Sequence, residues 1–127
     1  MQDPWNPTAT DIRQWAAESD SLCPTEDWDL AVTGIGHEAL FIDLVEDEQC
    51  PKADFFLHCL YLWVYDIVRV RGKTDELESM LQRGEASTEQ ALRIWARRSR
   101  ALIANPRRAD KDLWWGFGQK RGDTVQE

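Results

Sequence analysis

Residues able to do chemistry are concentrated in two parts of this chain. The first is the stretch from Asp54 to Asp66, in which Asp54 and His58, and Tyr61 and Tyr65, stand four residues apart. On a helix that spacing places each pair on one face. An acid, an imidazole and a phenol among apolar neighbours could move protons, because desolvation shifts the pKa values on which acid–base catalysis depends. A structural role fits the same residues: Asp54 beside a helix start, His58 as a satisfied partner in the core, Asp66 paired with Arg69. The chain carries no serine elbow, phosphate-cradling glycine loop or paired-carboxylate metal motif.

The second part is a set of carboxylates. Asp20, Glu26, Asp27 and Asp29 surround Trp28 in one segment, and Glu46, Asp47 and Glu48 follow one another in another; a Cys-Pro dipeptide marks each. If folding brings the segments together, they form a negative patch flanked by Trp28, suited to electrostatically steered capture of a basic protein. The competing reading is a solvated face that keeps the protein soluble.

Other constellations are weaker. Cys23, His37, Cys50, His58 and Cys59 could supply metal donors, but no Cys-x-x-Cys pair is present, and the adjacent His58 and Cys59 diverge by about 100° on a helix. The sequence therefore predicts no metal, no cofactor and no catalytic set. Arg93, Arg97, Arg98, Arg100, Arg107 and Arg108 could bind phosphate with Trp95 and Trp114 stacking on bases, yet these arginines serve equally to pair with the acidic half or to solvate a face. Trp114, Trp115 and Phe117 are either a tail docked on the core or an anchor for a partner.

The charge distribution favours the acidic patch. Net charge is −8, but residues 1–68 hold fourteen acids against Arg13 and Lys52, a net of −12, and residues 69–127 carry +4. Nucleic acid is an improbable main ligand for such a surface, since phosphate contacts need a basic footprint. The first residues, Met-Gln-Asp-Pro-Trp-Asn-Pro, lack the basic start and apolar run of a secretory signal. Three cysteines, an odd number, read as free thiols. These features predict a cytoplasmic location. The apolar run 55–68 contains His58 and Asp66 and is shorter than the ~20 residues a membrane span needs.

The elements that must position these groups are helices. Hydrophobic spacing of three and four recurs along the chain and strand-like alternation does not. The expected fold is all-α, one domain over 1–127, with five to seven helices around a central apolar helix at about 52–71, a loosely ordered N-terminus (1–7) and a C-terminal tail (119–127). The pattern predicts a first helix capped by Thr8 or Thr10 and buried through Ile12, Trp15 and Ala16, a second from Pro24 to Gly34, and a third from Gly36 to Glu48 with Glu38 outside. Further helices are predicted over 74–82, ending at Gly84, from a Ser87 capping box to Asn105, and over 107–115. The expected function is a non-enzymatic protein-binding module: a small acidic inhibitor, of the immunity or antitoxin kind, that neutralises a basic protein such as a toxin. The alternatives are an enzyme or ligand-binding protein using Asp54, His58 and Asp66, and an adaptor docking through the terminal aromatics.

Overall fold

The computed structural model describes residues 1–72, 74–106, 114 and 119–122, and among them it has six α-helices and no strand. Helix α1 is Ala9–Ala17. Thr8 Oγ1 accepts the Asp11 backbone N–H at 3.1 Å while the Asp11 carboxylate accepts that of Thr8 at 3.0 Å, a reciprocal cap. The Thr8 backbone bond holds the Asp11 carboxyl below its ordinary range. Ile12, Trp15 and Ala16 face inward, as their spacing requires.

Helix α2 is only Trp28–Val32, shorter than the predicted Pro24–Gly34. Asp27 lies in the left-handed region at φ 56°, which stops any helix running in from Pro24. Helix α3 is Glu38–Glu46, with Leu40, Phe41, Ile42, Leu44 and Val45 buried. Glu38, expected outside, is buried at 1% exposure. It tethers the preceding loop, its Oε2 accepting the Gly34 N–H at 3.0 Å.

Helix α4, Ala53–Asp66, is the central element and packs against α2, α3 and the last helix. It continues as a π-helical turn, Ile67–Arg71, closed by Gly72 N–H donating to Ile67 O at 2.6 Å. Gly72 ends it at φ 73°, a conformation that favours a residue without Cβ. Helix α5, Asp75–Glu85, is capped by Thr74, and helix α6 is Gln90–Ala104. Two predicted boundaries move here. Gly84 lies inside α5 rather than ending it, and its lack of a side chain serves packing: a Cβ there would stand 3.0 Å from the Trp95 ring on α6. Glu89, not Ser87, caps α6 by accepting the Ala91 N–H; the buried Ser87 hydroxyl donates to Glu46 and accepts the Glu89 N–H at 3.1 Å.

The predicted helix at 107–115 lies outside the described residues except for Trp114. That residue is buried, and its indole N–H donates to Tyr61 O on α4 at 3.1 Å. Residues 1–7 are held at two points: Pro4 O accepts the Trp28 indole N–H at 2.8 Å, and Pro7 O lies 3.0 Å from His37 Nε2. No helix among the described residues is long and apolar enough to cross a membrane.

Burial of Glu38 has a measurable consequence. Desolvation raises its carboxyl pKa, opposed by the Gly34 N–H bond. A raised folded-state value means that the contribution of Glu38 to stability is fully present below the unfolded carboxyl value and is lost as pH rises through the folded one. Glu38→Gln keeps an acceptor for Gly34 and removes the charge. In urea unfolding across pH 4–8, the stability of the variant relative to the parent is expected to rise with pH and then level off. A pH-independent difference overturns this assignment.

Candidate protein-binding surface

The proton-transfer set predicted on α4 comes apart in three dimensions. His58 does not pair with Asp54; its Nε2 lies 3.0 Å from Asp29 Oδ2 on α2 and its Nδ1 3.1 Å from Gln119 Oε1. The Gln119 amide is oriented by donation of its Nε2 to Trp114 O at 3.0 Å. Asp54 instead accepts the Arg121 backbone N–H at 3.0 Å, and Arg69 donates to the Tyr65 hydroxyl at 2.9 Å. With both ring nitrogens engaged, the imidazole fastens α2 and the C-terminal residues to α4.

Among the described residues no group of three or more His, Cys, Asp or Glu side chains is placed to hold a metal ion. Cys23 is exposed, and Cys50 and Cys59 are buried as free thiols. Burial pushes all three thiols above their ordinary pKa, Cys59 furthest, so none is activated as a thiolate.

The first acidic segment touches the chain that follows the second. Lys52, just before α4, makes the contact: its ammonium donates to Trp15 O at 2.7 Å and to the Ser21 hydroxyl, and sits 3.6 Å from the centre of the Trp15 ring. Burial lowers the Lys52 pKa. Cys50 Sγ, two residues earlier, lies 3.9 Å from Ala16 O. The chain after α1, carrying Asp20, is thereby drawn against the chain after α3, carrying Asp47 and Glu48.

Not every acidic residue of the expected patch faces solvent. Trp28 is 1% exposed, stacked on Phe55 with ring centres 5.6 Å apart and edge-on to Trp15 at 4.6 Å, so it is a core residue and not a flank of the patch. Asp29 is held by His58. Glu46 is held by Arg83 at 3.1 Å and by the Ser87 hydroxyl at 2.8 Å, and Arg83 also binds Asp43. What stays outward is Asp20, Glu26, Asp27, Asp47 and Glu48. Of these, Asp20, Glu26, Asp27 and Glu48 engage no described residue through their carboxylates. Asp47 Oδ1 accepts only a local bond, from Gln49 N–H at 2.9 Å. Leu22 stands among them at 88% exposure, and sequence periodicity had not singled it out because it lies in a loop.

The arginines divide differently from expectation. Arg100 pairs with Glu78 at 3.0 Å and Glu85 at 2.7 Å, tying α6 to α5 within the basic half. Arg83 and Arg121 reach the acidic half, Arg121 through the carbonyls of Asp47 at 2.6 Å and Cys50 at 3.1 Å, and Arg98 reaches the Tyr61 hydroxyl at 3.4 Å. Arg107, Arg108, Trp115 and Phe117 lie outside the described residues. No family model, curated protein or solved structure matches this chain.

Proposed function

We propose that this chain is a non-enzymatic protein-binding module, a small acidic inhibitor working in the cytoplasm, of the immunity or antitoxin kind, that covers a basic protein such as a toxin. The observation that carries the reading is the outward set Asp20, Glu26, Asp27, Asp47 and Glu48, on two segments of which Lys52 ties the first to the chain after the second, with Leu22 exposed among them. Partners within the fold take up Asp29, Asp43 and Glu46 but leave this set to solvent. Exposed carboxylates steer a basic partner, and an exposed leucine adds apolar contact once it arrives. The assignment to an inhibitor class is an analogy from size and charge.

The test is affinity capture from cell lysate followed by binding kinetics on the protein retained. Changing Asp20, Glu26, Asp47 and Glu48 together to Lys is expected to leave the helical circular-dichroism spectrum unchanged and to slow association with a basic partner by about 10- to 1,000-fold at low salt. Raising salt is expected to narrow that gap, because exposed charges are screened over about 8 Å at physiological ionic strength. Retention of no basic protein, or association indifferent to both salt and charge reversal, overturns the reading.

A further inference from the structure

Two large apolar side chains of the acidic half face solvent from loops, Leu22 at 88% exposure and Trp5 at 62%. The aromatic core beneath holds both in place. The Trp28 indole N–H donates to Pro4 O at 2.8 Å, the carbonyl just before Trp5, and the Trp15 indole N–H donates to Leu22 O at 3.0 Å. The rings of Trp15 and Trp28 meet edge-on with centres 4.6 Å apart. Two indoles in contact therefore pin the two loops beside one another, and no more than that pair of rings separates the carbonyls they hold.

Trp5 is presented on a fixed backbone. Asp3 O accepts the Asn6 N–H at 3.1 Å and Asp3 Oδ1 accepts the Trp5 N–H at 3.0 Å, closing a turn with Pro4 in its second position. A side chain carried on an already ordered turn gives up little further freedom on binding, and tryptophan is among the residue types that dominate interface energies. The setting is acidic: Asp3 belongs to the turn, Asp20 precedes Leu22 by two residues, Glu26 and Asp27 lead into Trp28, and all four are exposed. Cations of the same region are directed elsewhere. Lys52 gives its ammonium to Trp15 O, the Ser21 hydroxyl and the Trp15 ring, Arg13 is turned to Asp43 at 3.8 Å, and the amino terminus acts on Asp11.

Resting on the reading of the chain as a binder of basic proteins, we propose that Trp5 and Leu22 form the apolar anchor of that interface, and that the partner meets them with a basic segment bearing apolar side chains. An apolar centre bordered by outward carboxylates is complementary to apolar side chains flanked by lysine or arginine. The two parts have separate duties. Asp20, Glu26 and Asp27 steer the approach and set its salt dependence, while burial of Trp5 and Leu22 slows dissociation.

The probe is a synthetic leucine–lysine peptide of about five helical turns, with leucine at spacing three and four, titrated into the full chain labelled with 5-fluorotryptophan. Trp5→Phe identifies the Trp5 fluorine signal. That signal is expected to shift saturably while those of the buried Trp28 and Trp95 stay in place. A peptide of the same length and charge with serine for leucine is expected to bind about tenfold more weakly, and a leucine–glutamate peptide not at all. Trp5→Ala and Leu22→Ser, both at exposed positions, are together expected to reduce binding of the leucine–lysine peptide to the level of the serine–lysine one, with the helical circular-dichroism spectrum retained. Val70→Ser, at 76% exposure in the basic half, is expected to change nothing. Equal binding of the two lysine peptides, binding indifferent to the Trp5 and Leu22 substitutions, or an equal loss in Val70→Ser overturns the proposal. If a basic protein is retained from lysate and lost on acidic charge reversal, yet leaves the Trp5→Ala, Leu22→Ser variant at the parent rate, the anchor assignment falls and the partner reading stands. If the peptides behave as expected and no basic protein is ever retained, the surface stands as a site for basic apolar segments and the partner reading falls.

Discussion

Replacing Trp28 with alanine is expected to cost about 3–5 kcal/mol of folding stability, the range for emptying a large aromatic site in a packed core. Three interactions converge on this residue. Its ring stacks on Phe55 at 5.6 Å and meets Trp15 edge-on at 4.6 Å, and its indole N–H reaches across the chain to Pro4 O at 2.8 Å. Five residues of α2 cannot sustain themselves as an isolated helix, so this side chain, with buried Val32 and the Asp29–His58 contact, attaches the helix to α4. Trp28→Phe retains an aromatic ring against Phe55 and gives up the Pro4 bond, and its expected loss is smaller, about 1–2 kcal/mol. Urea unfolding followed by circular dichroism measures both. A Trp28→Ala variant as stable as its parent, yet unable to bind a basic partner, overturns the placement of this residue in the core and returns it to the interface.

Gly84→Val is the second large effect. The α5–α6 contact is made where Gly84 meets Trp95, and an added Cβ would stand 3.0 and 3.1 Å from two ring carbons of Trp95 and 3.2 Å from the Ala96 methyl. Trp95 is fully buried and cannot swing away, so the helices must separate. Overpacking of this kind costs about 1–3 kcal/mol, and a branched side chain brings less of the helix-propensity gain than alanine would. Gly84→Ala sets that gain, about 1 kcal/mol, against a milder clash, and its expected change is small. The separation also lengthens the Arg100 bridges from α6 to Glu78 and Glu85, which raise the Arg100 pKa and lower that of Glu85. These are part-exposed pairs whose loss is a minor addition. Valine tolerated as well as alanine overturns the close-packing account.

Much of the fold was legible because it depends on local periodicity. Thr8 followed by Asp11, and Thr74 before Leu77, are caps whose chemistry is contained within four residues. The spacing of Ile12, Trp15 and Ala16, and of Leu92, Trp95, Ala96 and Ser99, marks a buried stripe whatever lies opposite. The apolar run through α4 identified the central helix for the same reason. Boundaries slipped where a distant partner outweighed local preference. Gly84 reads as a helix terminator until Trp95 is known to lie against it, and Ser87 reads as a cap although its hydroxyl bridges Glu46 and the Glu89 N–H one turn before α6.

The candidate site shows the same division more sharply. The sequence by itself determined that the first half is acidic, that its carboxylates cluster in two segments, and that the chain has the periodicity of helices. Tertiary structure alone decided which of those carboxylates are available. Asp29 meets His58 across 29 positions of sequence and Glu46 meets Ser87 across 41, so both are spent inside the fold, while Asp20, Glu26, Asp27, Asp47 and Glu48 remain outward. Lys52 links the first segment to the chain after the second by reaching Trp15 and Ser21. Charge is a property of composition and can be counted along a chain. The partner of a charge is set by which residues the packing of helices brings within about 4 Å, and no local pattern encodes that distance.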